Sequence, residues 1–186
     1  MRTLNFTIWL GFTCCALIGY ALSADDQEIK ITGTYVNKDY GYSVQLKDGI
    51  SGSNLAPPAP QHGFGIDLKP GGAGYVWVYA VYDALMAGSV ERAAEQESQV
   101  FVEQDAVRLT EDKPSTLSGL PAREVVLSNR AGKSRMNYIH LLVAYRKVPG
   151  EGGVIYVIGL QQHTASAAGK AVFSSIVQSF RTVPVN

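Results

Sequence analysis

Three histidines, His62, His140 and His163, are the only imidazoles in this chain of 186 residues. They set the limits on metal and acid–base chemistry. A zinc or iron site wants two or three of them converging with a carboxylate such as Asp67 or Asp83. No pair is spaced i, i+4, and no His-Glu-x-x-His run occurs. No metal ligand, cofactor site or catalytic residue is assigned on this pattern. His140 alternates with Tyr138 and Leu142, as a packed, hydrogen-bonded histidine on a strand would. His163 stands just before the last helical stretch and reads as a surface or capping residue. The most suggestive tetrapeptide is His62-Gly63-Phe64-Gly65. Glycines beside an aromatic let a backbone approach a ligand, and an imidazole stands next to them. The plainer reading is a loop end bending into a strand.

Other chemistry is thinly supported. There is no Gly-x-Ser-x-Gly elbow, and both cysteines, Cys14 and Cys15, fall in an N-terminal apolar run. Gly71-Gly72-Ala73-Gly74 lacks the Lys-Ser/Thr ending of a phosphate loop and precedes a strand rather than a helix, so it reads as a hairpin turn. Tyr75, Trp77 and Tyr79 share one face of a strand. Exposed, this ladder would stack a carbohydrate, a peptide or a partner's aromatic residues; under a helix it is core, the preferred reading. Together with His62 and Phe64 it makes the candidate binding surface. Arg130, Lys133 and Arg135 around Gly132 read as a solvated basic turn, with docking of acidic partners as the alternative.

The elements that must position these residues are legible from periodicity and punctuation. Strands are predicted at Thr32–Val36 and Tyr42–Leu46, Phe64–Leu68, Tyr75–Tyr82, Val107–Thr110, Arg123–Ser128, Met136–Val148 and Val154–Gln161. Asp48–Gly63, with Pro57, Pro58 and Pro60 among glycines and serines, is a long loop. Lys69-Pro70-Gly71-Gly72 is a turn. Ser89 caps a helix running to Glu103 or Gln104, with Glu91 in its first turn where negative charge suits the dipole. Thr164 or Ser166 caps the final helix, whose stripe Val172, Phe173, Ile176, Val177 and Phe180 is wide and apolar. Val154–Ile158 is apolar at every position, so both faces of that strand must be covered. The predicted fold is α+β: a mostly antiparallel central sheet with helices packed on it and cover on both sides. Two helices are few for that cover, and the Asp48–Gly63 loop or the segment before Thr32 is expected to supply the rest.

Location is read from the first 23 residues. Arg2 precedes an apolar run from about Phe6 to Leu22, and Ala21-Leu22-Ser23 places small residues where a signal peptidase reads. Residues 1–23 are therefore expected to be an export signal and residues 24–186 a single domain, periplasmic or secreted. A lipid on Cys14 or Cys15 and an uncleaved anchor are the alternatives. Losing Arg2 leaves 15 basic residues against 16 acidic ones, a net charge of about −1. That balance offers no footprint for nucleic acid, and no stable membrane insertion is expected after cleavage.

Tyr35-Val36-Asn37 followed by Tyr40-Gly41-Tyr42-Ser43-Val44-Gln45-Leu46 resembles the opening of PsbP-like domains. Ser89-Val90-Glu91, Gly119-Leu120-Pro121-Ala122-Arg123, Gly153-Val154-Ile155-Tyr156 and the closing Phe173–Phe180 helix look like later landmarks in the same order. The resemblance implies an α/β/α sandwich shared by photosystem II extrinsic proteins, a Ran-binding import factor and small bacterial envelope proteins of the DcrB type. Those relatives mostly bind proteins and carry no general catalytic motif, so no site residue is transferred. The long Gly/Pro-rich loop after the second strand departs from the usual Pro-x-x-Trp turn. The expectation is an envelope protein that binds or stabilises another protein without catalysis, the loop and nearby strand ends being its contact surface. The alternative is a small-molecule binder or hydrolase using His62 with an acidic residue in a cleft.

Overall fold

The computed structural model describes residues 28–54, 61–68, 74–105, 107–129, 138–148, 152–163 and 165–184. The N-terminal run, the centre of the 48–63 loop, the 69–72 turn, the basic turn at Arg130, Lys133 and Arg135, and Thr164 lie outside these residues. The elements in chain order are β1 (Lys30–Ile31), β2 (Thr34–Asn37), β3 (Tyr42–Gln45), β4 (Gly52–Ser53), β5 (Gly63–Asp67), β6 (Gly74–Tyr82), α1 (Val90–Asp105), β7 (Arg108–Leu117), β8 (Leu120–Ser128), β9 (Tyr138–Val148), β10 (Gly152–Gln162), α2 (Ala167–Ser179) and β11 (Arg181–Thr182).

Strand β10 is the spine because its sequence has no polar face to give to water. Every residue from Gly153 to Leu160 is buried. It pairs antiparallel with β6 on one side and β9 on the other, inside an eight-stranded sheet ordered β1-β4-β5-β6-β10-β9-β8-β7. Alternation splits its side chains between two cores. Val154, Tyr156, Ile158 and Leu160 join Val76, Val78, Phe64, Phe173 and Ile176 under α2. Ile155 and Val157 join Trp77, Leu141, Val143, Ala93 and Ala94 under α1. The sheet is antiparallel throughout and covered on both faces, as the sequence predicts.

Two features differ from the sequence reading. The opening strands β2 and β3 do not extend the main sheet; they pair with β11 in a separate three-stranded sheet. That small sheet supplies cover beside α2 through buried Tyr42, Val44 and Phe180, and Ile50 from the long loop and Ile31 from before Thr32 pack against the same core. Strand β7 runs on past Thr110 to Leu117, through Pro114. It is the last strand of the sheet, and an edge tolerates a residue without an N–H. It turns into β8 at Ser118-Gly119, both at positive φ (51° and 80°), the two-residue hairpin geometry whose twist matches the strands.

Candidate functional site

The structure does not gather the five candidate surface residues into one place. Phe64 is fully buried and packs on Tyr35 at 4.8 Å between ring centroids. His62 is partly buried on the same side; its ring lies 5.1 Å from that of Tyr40 and its Nδ1 is 2.9 Å from the Ala80 carbonyl oxygen. The ladder faces the opposite way, toward α1. Trp77 is 6% exposed and packs against Phe101 at 5.8 Å. Tyr75 stacks on Trp77 at 5.9 Å, and burial pushes its hydroxyl up to about 12, with the Asp67 charge adding to the effect. Tyr79 donates its hydroxyl hydrogen to Glu97 on α1. Phe64 and Trp77 are thus enclosed and present nothing to a partner.

The glycines of the His62 motif have an internal reason. A Cβ on Gly65 would fall 1.4 Å from the Tyr75 phenol oxygen. At Gly65 the close approach is made by the protein's own tyrosine, and at Gly63 by the backbone of β6, where a Cβ would fall 1.9 Å from the Val78 carbonyl oxygen. The same device recurs where Gly159 faces Trp77 and where Gly153 lies under Tyr145, with a Cβ 2.1 Å and 2.3 Å from the respective ring. His140 accepts or donates at Nε2, 2.7 Å from Glu124, and stacks on Phe173 at 4.4 Å. Burial holds its pKa below the ordinary 6.5, against the opposing pull of Glu124.

In the loop between β6 and α1, ahead of the Ser89 cap, the sequence marks only Asp83, as a possible carboxylate ligand. There Asp83 acts as an internal cap. Its carboxylate accepts from Ala87 N–H at 2.7 Å, Gly88 N–H at 2.9 Å and the Tyr145 hydroxyl at 2.9 Å. Burial alone would raise the Asp83 carboxyl pKa, but these three donors outweigh it and hold it below 3.8. So tied, the loop holds Leu85 and Met86 outward, 75% and 81% exposed, with Met86 in the left-handed region at φ 50°. Beside them a notch of about 280 Å³ opens between the loop and α1. Val81, Ile155, Leu85 and Val100 give it apolar walls, and Glu97 and Gln96 its polar groups. Burial raises the Glu97 carboxyl pKa, while the Tyr79 hydrogen bond works against that shift. One signal for this site was in the sequence: Leu85-Met86 are two large apolar residues in a connection bounded by Asp83 and Gly88.

A second, larger groove of about 590 Å³ runs beside β1, β4 and β5, lined by Lys30, Ser51, Asp67, Tyr75 and Val172 among others. It borders the long loop that the sequence suggested as a contact surface.

No family model and no curated protein matches the chain. Solved structures do. The solution structure of cyanobacterial PsbP (CyanoP) from Synechocystis sp. PCC 6803 superposes with a TM-score of 0.54 at 14% identity, over 92% of this chain and 98% of that one. The fold is PsbP-like. LpqN, involved in cell envelope biogenesis of Mycobacterium tuberculosis, gives 0.53 at 13% identity, over 85% and 91% of the two chains. At such identities the likeness is one of fold. Two PsbP-like landmarks of the sequence meet in space: Tyr42, from the aromatic-Gly-aromatic strand, stacks at 5.5 Å on Phe180, which closes the last helix.

Proposed function

We propose that this protein works outside the cytoplasm, in the cell envelope, by binding another protein, and that Leu85 and Met86 centre the contact. The exposed pair on its tied loop carries the reading. Large apolar side chains on a loop whose backbone is already tied gain from being covered, and docking then has to fix their rotamers but not the loop. The apolar run after Arg2 supports an extracytoplasmic location. The structural likeness to LpqN, a protein of envelope biogenesis, and to CyanoP is compatible with it. Among the described residues His62 meets the Ala80 carbonyl and the Tyr40 ring and no carboxylate is hydrogen-bonded to it, so the His62-based hydrolysis reading lacks its acidic partner.

The test is site-specific photo-crosslinking in intact expressing cells. A photoreactive residue at position 85 or 86 is expected to capture one and the same envelope protein. The same residue at Leu109, 55% exposed on the edge strand β7, serves as control and is expected not to capture it. Equal capture at all three positions, or none at 85 and 86, would refute the assignment.

A further inference from the structure

The notch beside Leu85 has a chemistry of its own. Glu97 projects from α1 into an apolar setting, and its Oε2 accepts from the Tyr79 hydroxyl. Its other oxygen has no hydrogen-bond partner, and Glu97 has no ion pair, among the described residues. A partly buried carboxylate with one neutral donor is short of counter-charge. The walls around it are mostly apolar, with Val81, Ile155, Leu85 and Val100 on them and Gln96 and Tyr82 also on the lining. The group that matches apolar walls with an anionic end is an aliphatic stem carrying a cation. The exposed side of α1 adds charge of the same sign, since Glu91, Glu95 and Glu103 face water against the lone basic Arg92 on that helix. Such a surface steers basic segments toward the notch.

We propose that the notch receives a lysine or arginine side chain of the bound protein, with its methylenes against Leu85, Val100 and Ile155 and its cation on Glu97. This rests on the protein-binding reading above and names the chemistry of the partner. Burial raises the Glu97 carboxyl pKa, a desolvation that a docked cation would offset; Tyr79 is hydrogen-bonded to Glu97, and Tyr82 also lines the notch.

The experiment pans a random heptapeptide library on the protein purified from expressing cells. Peptides with Lys or Arg beside Leu, Ile, Val or Met are expected to be enriched. A selected peptide is then compared with its counterpart carrying norleucine at the basic position, by fluorescence anisotropy. The wild type should prefer the charged peptide by roughly 10-fold or more, and Glu97→Gln should abolish that preference. Gln preserves the acceptor for Tyr79, so the melting temperature should be unchanged or higher, which separates lost recognition from lost folding. Enrichment without basic residues, no enrichment, or a preference that survives Glu97→Gln would overturn the proposal. Binding that Leu85→Ser removes while Glu97→Gln leaves intact would overturn it and still leave the protein-binding reading standing.

Discussion

Gly159 and His140 show how much single residues constrain this sheet. A methyl group at position 159 would meet the Trp77 indole at 2.1 Å, in a layer that is already full. Overpacking of this kind costs about 1–3 kcal/mol. Gly159→Ala should therefore lower the melting temperature by roughly 2–12 °C in a scanning fluorimetry experiment. Adding Trp77→Phe should recover part of the loss; an unchanged melting temperature would contradict the packing described. His140 makes the sign of a pH effect predictable. Its folded pKa lies below 6.5, so in acid the unfolded chain binds the proton more readily than the folded one. Stability should fall as pH drops from about 6.5 through the folded value, and urea midpoints for His140→Gln should lose that part of the slope. Parallel pH profiles for the two proteins would remove His140 as the cause.

Helix α2 starts on a cap that also ties it to the sheet. The Ser166 hydroxyl accepts from Gly169 N–H at 3.1 Å and from the Gln162 side-chain amide Nε2 at 2.6 Å, while Ser166 N–H donates to the side-chain Oε1 of Gln162 at 3.1 Å. Gln162 is 3% exposed at the end of β10. Ser166→Ala removes a cap worth about 0.5–2 kcal/mol and strands a buried amide hydrogen, so its loss should reach the upper part of that range in urea unfolding. A loss near zero would mean that Gln162 finds another acceptor. At the same scale, strands with two apolar faces were easy to read and polar ones were not. Val154–Ile158 could only be central. Glu111-Asp112-Lys113-Pro114-Ser115 carries no apolar alternation, and its proline argues against a strand. It is a strand because β8 offers a free edge, with Asp112 and Arg123 paired across it at 2.7 Å. Backbone pairing, to which sequence periodicity is blind, decided that element.

The whole molecule is held together where its two sheets meet. Phe180 is fully buried, stacks on Tyr42 at 5.5 Å and meets Tyr156 edge-on at 5.4 Å, so it joins α2, the small sheet and the main sheet. Phe180→Ala should cost about 3–5 kcal/mol, and hydrogen exchange should report β2 and β3 loosening before β9 and β10. Uniform protection loss across both sheets would instead mean that the molecule opens as one unit. From the chain alone came the antiparallel covered sheet, its two helices with a cap at Ser89 and one at Thr164 or Ser166, and a PsbP-like order of landmarks; the structure chose Ser166. Those follow from periodicity, since a side chain's face is set by its place along a helix or strand. Tertiary structure alone decided that the opening strands form a second sheet, that the aromatic ladder lies under α1, and that Asp83 ties Leu85 and Met86 outward beside Glu97. Each of these depends on which residues distant in sequence come together, as Tyr145 does with Asp83, and one chain's local pattern carries no record of such meetings.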